Sequence, residues 1–253
     1  MENIENSNEQ IVRRAKAAQD NAKAHKDADK KSAKVIEINP SEIVDEGGNA
    51  IDLNNTEALR KWLLAKYQGK TVEVKDDGRK VLFAGTGLKD SAKRRGRTQR
   101  QLYADLEQLV ESGIYDGYEL GDSKHPNVNR QNIYFASAKI GNKVLGVRIK
   151  IDIFNGVEKG SYKDHKIAEI EIEKSPSLNK GFYSLQQDGD LAIAIPKIRE
   201  AFDNKGTTSF SEKQENSQKV AKKAVPSAAL AEMLKQTQEE TPVAPGKKKG
   251  LSI

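Results

Sequence analysis

The sequence predicts an α+β fold in which helices pack on one face of a curved antiparallel sheet, with flexible charged tails at both ends. Two stretches in the first half of the chain place apolar residues at helical spacing. A later stretch, residues 132–154, alternates apolar and polar residues with a period of two. Its polar residues would line the opposite face, so we expect a sheet covered on one side only. Helices followed by a run of strands are typical of the α+β class.

The distribution of large apolar side chains divides the chain into three segments. Residues 1–34 and 204–253 hold few of them and could hardly bury enough surface to offset the entropy of ordering. We therefore expect a folded domain at 35–203, between a polar, Ala/Lys-rich segment at 1–34 that is helical or disordered and a low-complexity, mostly disordered tail at 204–253. The first segment has high helix propensity but no sustained apolar stripe, which favours a helix that is not docked.

Composition excludes several classes of protein. The chain has no cysteine, which rules out a disulfide framework, a thiolate nucleophile and a zinc site with cysteine ligands. No run approaches the ~18–20 apolar residues of a membrane span, and the acidic N-terminus lacks a secretion pattern. We expect a soluble intracellular protein that does not engage a membrane.

The first elements follow from spacing and turn residues. A helix is predicted over 54–69, because an asparagine can cap its start and apolar residues recur at helical spacing. Residues 71–83 should form a hairpin, since Asp77-Gly78 is a favoured turn between two alternating runs.

The remaining elements are a helix, three strands and a last helix. Thr98 and Gln101 have the spacing of a capping box and should open the second helix. The alternating stretch forms two strands joined at residues 141–142, and residues 165–173 alternate again as a third strand. Residues 192–202 should form the last helix, with a proline near its start.

A run of basic residues lies between the hairpin and the second helix. Between Lys89 and Arg100, six cations stand against Asp90 alone, on a chain whose net charge is +6. Such a local patch favours a polyanion partner, although a merely solvated connection remains the alternative. The expected nucleic-acid contacts are Lys89, Lys93, Arg94, Arg95, Arg97 and Arg100. The preceding glycines do not complete a P-loop, because Lys89 is followed by Asp90, and we expect no nucleotide cofactor.

Histidine is the second place where chemistry could reside. His165 is expected to open a strand directly after a turn, where it could act as a general acid or base. The alternative is an exposed histidine without a function. His25, in the polar N-terminal segment, and His125, in a loop, are expected to be inert. The histidines do not have metal-ligand spacing, so no metal is predicted.

Five short pieces of sequence, taken in order, resemble a known family. They are Gly69-Lys70, Gly87-Leu88-Lys89, Glu111-Ser112-Gly113, Ile140-Gly141-Asn142-Lys143 and Tyr162-Lys163-Asp164-His165. Together they resemble domains of phage and integrative-element polyvalent proteins in the barnase–EndoU–colicin E5/D–RelE superfamily. The resemblance covers about residues 35–175 and implies a compact barnase/RelE-like fold.

The resemblance also implies relatives that cut RNA without a metal. In such enzymes a base removes the 2′-OH proton, and the oxygen attacks the adjacent phosphate while cations stabilise the charge. Carried onto this sequence, His165 would be the acid or base, and Lys89 and Arg148 would stabilise the phosphate. Tyr162 would position the base or sugar. Arg148 should reach the same open sheet surface as His165.

Two departures from the family pattern keep several functions open. Lys163 and Gly146 stand where tyrosines are usual. The first function is a mobile-element protein acting on RNA, as a metal-independent endoribonuclease effector or toxin in the cytoplasm of a bacterial or phage-infected cell. The second is a non-catalytic nucleic-acid- or protein-binding module of the same fold. The third is an adaptor. The expected partners are RNA or another polyanion, and an inhibitor or partner protein bound through the tails.

Overall fold

The computed structural model describes residues 2–93, 96–121, 126–155, 157, 159–170, 183–185 and 191–204. The helices are α1 (Glu2–Ala28), α2 (Thr56–Tyr67), α3 (Gly85–Ala92), α4 (Arg97–Gln101), α5 (Leu106–Glu111) and α6 (Ile195–Asp203), with short 3-10 turns at Pro40–Glu42 and Leu102–Asp105. The strands are β1 (Ser32–Glu37), β2 (Thr71–Glu73), β3 (Lys80–Leu82), β4 (Ile114–Leu120), β5 (Val128–Ile140), β6 (Lys143–Phe154), β7 (Gly160–Ile170), β8 (Tyr183–Leu185) and β9 (Leu191–Ala194). All of these elements lie within one unit, Met1–Thr207.

The strands form one nine-stranded sheet in the order β2-β3-β7-β6-β5-β1-β9-β8, and β4 also pairs with β5. The predicted α+β class is confirmed. The sheet is mixed, however, rather than antiparallel, because β1 runs parallel to β5 and β3 runs parallel to β7. Parallel pairs join strands that are far apart in the chain. An alternating pattern within one strand carries no information about such a distant partner.

The centre of the sheet is the antiparallel meander β5–β6–β7 that the alternating residues predicted. Gly141 closes the β5–β6 turn with a φ of 57°, a value that glycine adopts without strain. Successive residues of β6 point to opposite faces, so Leu145 and Ile149 belong to one apolar core and Val144 to another.

Both faces of the sheet carry a core, so the expected one-sided cover is wrong. On the first face, Ile149 and its neighbours pack with the buried residues of α2, α3 and α5. On the second face, Val144 and Ala168 pack with Ile198 of α6. Gly146 permits this contact, because a Cβ built there would lie only 2.7 Å from Cγ2 of Ile198.

Helix α1 docks on the edge strand β4, contrary to the expectation of an undocked helix. The side chain of Asn21 is fully buried. Its amide donates to the carbonyl of Tyr118 at 2.9 Å, and its carbonyl accepts from the amide of Tyr118 at 2.8 Å. Gly117 leaves room for it, with a φ of 107° and a Cβ position 2.5 Å from Oδ1 of Asn21. Ala17 and Ala28 are also buried.

Three local predictions are confirmed. Asn55 caps α2 by accepting from the amides of Glu57 and Ala58. The β2–β3 hairpin forms, with Gly78 at a φ of 69°. Pro196 lies in the first turn of α6. None of the helices described is long and apolar enough to span a membrane.

The predicted capping box is wrong. Helix α4 begins at Arg97 after Gly96, so Thr98 lies inside the helix rather than at its cap. The helical stretch is interrupted by the 3-10 turn and resumes as α5, whose cap is Asp105.

Candidate nucleic-acid interface

The run of basic residues between the hairpin and the second predicted helix begins in a helix, α3, that lies directly against strand β7. Gly87 makes this approach possible, because a Cβ built there would lie 1.9 Å from the backbone oxygen of Tyr162. Ser91, one turn further on, is fully buried, and its Oγ lies 3.2 Å from the carbonyl oxygen of Lys163. Helix α3 is therefore fixed to the outer edge of β7.

Helix α4 is fixed to the same strand through His165. The Nε2 of His165 donates to the carbonyl of Gln99 at 3.1 Å, and the side-chain amide of Gln99 donates to the carbonyl of His165. In the neutral imidazole with its proton on Nε2, Nδ1 is the acceptor, and the Tyr162 hydroxyl, 2.7 Å away, donates to it. His165 and Tyr162 are each only 1% exposed. This buried network joins α4 to β7.

Aromatic rings enclose this network. The ring of Tyr103 meets that of His165 edge-on, with centroids 5.1 Å apart. Phe83 lies 5.5 Å from Tyr162 between ring centroids. The Oγ of Ser91 also lies 3.3 Å from the Tyr162 hydroxyl oxygen. These contacts are those of a packed core, in which the polar atoms pair with one another.

The residues predicted to be catalytic do not converge on one phosphate. His165 lies in the middle of β7, not at its mouth, and its side chain shares the first face with Ile149, its partner in β6. Arg148 pairs with Lys166 and therefore points to the second face. Lys89 lies half-buried on α3. The expectation that Arg148 reaches the same surface as His165 is wrong.

Arg100 is buried, which contradicts its predicted contact with nucleic acid. It is 5% exposed, and its guanidinium donates to the carbonyl of Leu53, to Oγ1 of Thr56 at 3.2 Å and to the carbonyl of Ala92 at 3.2 Å. These partners lie before α2, at its first residue and at the end of α3. Arg100, in α4, thus joins the start of α2 to the end of α3.

The exposed cations lie where α3 gives way to α4. We call residues 89–97 the basic segment. Lys93 and Arg97 are exposed and Lys89 is half-buried, whereas Arg94 and Arg95 lie outside the described residues. Lys93 is paired with Asp90 at 2.9 Å, but a salt bridge this exposed contributes little. The basic segment holds five cations and one carboxylate in the sequence.

The polar half of the second sheet face contains a cluster of charges, of which the sequence analysis singled out Arg148 alone. Arg148 and Lys150 contact different oxygens of Glu119, at 2.7 and 2.6 Å. Burial acts to raise the pKa of Glu119, but the hydrogen bonds and charges of Lys150 and Arg148 outweigh it and hold that pKa below its usual value. Next to them, Gln131 donates to Asp152 at 2.7 Å.

Two other features were considered as sites. A cleft of about 570 Å³ lies between β1, the β2–β3 turn and the end of α5. Among the residues that line this cleft, Lys75 forms a salt bridge with Glu111 at 3.2 Å, so these two charges cancel. Within the described ranges, no group of three or more histidine, aspartate or glutamate residues could hold a metal ion. His25 lies 3.0 Å from Asp116, and His125 lies outside the described residues.

The fold and these contacts define an α+β domain that presents a basic helix–helix connection beside the edge of its sheet. Residues 52–161 of the chain match the family model described as large polyvalent protein-associated domain 3. This stretch is therefore similar to a polyvalent-protein domain, and Tyr162 and His165 lie just beyond its end. No curated protein matches the chain, and no solved structure does.

Proposed function

We propose that this is a mobile-element protein whose α+β domain binds RNA through the basic segment without cutting it. The similarity of residues 52–161 to a polyvalent-protein domain supports the mobile-element origin. The observation that carries the binding role is the contrast between the buried contacts that fix α3 and α4 and the exposed side chains of Lys93 and Arg97 at the ends of those helices.

Cations at the facing ends of two fixed helices suit the phosphate backbone of a nucleic acid. Each phosphate neutralised by lysine or arginine releases condensed counterions, so binding should weaken steeply as salt rises. Gly87, Ser91 and Gln99 hold α3 and α4 against β7. The backbone at the ends of these two helices is therefore in place before RNA binds, so ordering it costs no binding energy.

Binding without cleavage is favoured over the endoribonuclease or toxin role by the positions of the residues that would do the chemistry. A general base must come within hydrogen-bond reach of the 2′-OH. His165 and Tyr162 are buried and hydrogen-bonded to each other, and His165 is also hydrogen-bonded to Gln99. Arg148 lies on the opposite face of the sheet.

The test is a mobility-shift titration of labelled single-stranded RNA, structured RNA and DNA in EDTA, with the full chain. We expect salt-dependent shifts, intact RNA and weaker binding by Lys93→Ala/Arg97→Ala. The slope of log K against log salt should lose about 1.4 in magnitude for a single strand, because two phosphate contacts are removed.

The matched control is Lys139→Ala/Lys143→Ala, which removes two exposed cations from the β5–β6 end of the sheet. It should bind RNA as the parent does. If both double variants weaken RNA binding equally, the loss of affinity reflects the net charge of the protein and not a site at the basic segment. No shift with any nucleic acid would favour the adaptor role. Cleavage to 2′,3′-cyclic ends would contradict binding without chemistry.

A further inference from the structure

The charge cluster on the second face includes residues of β6, the strand next to β7, and β7 is the strand that α3 and α4 contact. Beyond Ser161, the only described strand paired with β7 is β6, on its inner side. The outer edge is instead contacted by Ser91, at the carbonyl of Lys163, and by Gln99, at the carbonyl of His165. The end of α3 and the start of α4 therefore lie along the part of β7 that carries Lys163 and Lys166.

Cations continue from that edge across the second face. Lys166 is exposed and is the cross-strand neighbour of Arg148. Lys163, at a bulge in β7, has its Nζ 3.9 Å from Asp152 of β6. Lys150 follows Arg148 on the same face, two residues along β6. Four cations thus occupy adjacent positions on two neighbouring strands.

Of the three carboxylates described beside these cations, Glu119 is the most accessible to a ligand. Asp152 and Asp164 are buried, at 7% and 5% exposure, whereas the Glu119 side chain is 30% exposed. Glu119 comes from a different strand, β4, and reaches across to bridge Arg148 and Lys150. One carboxylate therefore neutralises two cations incompletely.

The geometry around Glu119 fits an anion that has two terminal oxygens. Arg148 and Lys150 each bind a separate oxygen of the same carboxylate. A phosphodiester group presents two non-bridging oxygens in the same way, and arginine is well suited to such paired acceptors.

We propose that the second face is an additional phosphodiester-binding site, formed by Arg148, Lys150, Lys163 and Lys166, and that Glu119 occupies it as an internal counter-ion. An RNA strand that binds the basic segment continues over the edge of β7 and displaces the Glu119 carboxylate from Arg148 and Lys150. This inference rests on the proposed RNA-binding function and extends its site. Glu119 then lowers affinity for RNA in the parent protein.

The sharpest test is a gain of affinity. Glu119→Gln should bind single-stranded RNA several-fold more tightly, with a more negative salt slope, because the phosphate no longer competes with a carboxylate. Glu169→Gln is the matched control, since it makes the same charge change on the far part of β7, where Glu169 pairs with Lys143 at 2.9 Å. Equal gains in both variants would overturn the proposal, as would no gain in Glu119→Gln.

A second variant separates failure of this inference from failure of the proposed function. Lys163→Ala/Lys166→Ala should weaken RNA binding and reduce the magnitude of the salt slope by about 1.4, the value for two contacts with a single strand. Weakening by Lys93→Ala/Arg97→Ala alone would leave the basic segment as the whole site and reject the second face. If neither double variant weakens binding, the proposed function itself fails. Thermal melting of each variant checks that the fold is retained.

Discussion

Gly87 sets how closely helix α3 approaches the sheet. Its Cα lies so near β7 that any β-carbon would overlap the backbone oxygen of Tyr162, at 1.9 Å. A backbone atom inside a sheet cannot move aside as the end of a flexible side chain could. The position of the basic segment therefore depends on the absence of a side chain at this residue.

We predict that Gly87→Ala destabilises the domain by about 1–3 kcal/mol, the usual range for overpacking in a rigid site. Urea denaturation of the full chain measures this. Gly85→Ala, in the first turn of the same helix, meets only the Gln68 side chain at 3.3 Å and should stay within about 0.5 kcal/mol of the parent. Equal effects of the two substitutions would contradict the close approach at Gly87.

The sequence did not reveal the buried surroundings of three polar side chains. His165 and Tyr162 were predicted to be catalytic because of their chemistry, yet each is 1% exposed and pairs inside the core. Arg100 was counted with the exposed cations, yet it bonds to Leu53 and Thr56, more than 40 residues away. The sequence reveals a local excess of charged residues. It does not reveal which of their side chains form hydrogen bonds with carbonyl groups that are distant in the chain.

Helix α1 protects the outer edge of strand β4. An unpaired edge strand presents free backbone groups that invite association with other chains. Here the Asn21 side chain forms hydrogen bonds with both the backbone amide and the backbone carbonyl of Tyr118. Asp76 of the hairpin turn accepts a hydrogen bond from the backbone amide of Tyr115 at 3.0 Å. Side chains from two separate elements thus stand in for a neighbouring strand.

Removing that amide should loosen α1. We predict that Asn21→Ala costs about 1–3 kcal/mol, because it leaves two buried backbone groups of Tyr118 without partners. Hydrogen exchange should show faster exchange at the Tyr118 amide. Gln19→Ala removes an exposed amide from the same helix and should change neither quantity. Unchanged protection of Tyr118 in Asn21→Ala would contradict the edge-capping role.

The sequence predicted those elements whose signal is local. The period-two run gave β5 and β6, the Asp77-Gly78 turn gave the hairpin, and helical spacing gave α2. Docking of α1 was missed because its contacts use Ala17, Asn21 and Ala28, which are too small or too polar to read as an apolar stripe. The cover of the second face was missed for a similar reason, since α6 packs on Gly146 and Ala168.

Within the described part of the domain, the basic segment and the cations of the second face lie around one edge of the sheet. Helices α3 and α4 hold the basic segment on the outer side of β7, and the second face carries Lys163 and Lys166 from the same strand. The apolar cores lie on both sides of the sheet. A strand of RNA could follow such an edge without entering either core.

The most direct measurement is a map of cross-links between the full chain and thiouridine-labelled single-stranded RNA, read by mass spectrometry. The account predicts cross-links in peptides from the basic segment, and from β7 around Lys163 and Lys166, that disappear as salt is raised. Cross-links confined to α1 or to the cleft beside β1, or an absence of cross-links at low salt, would contradict it.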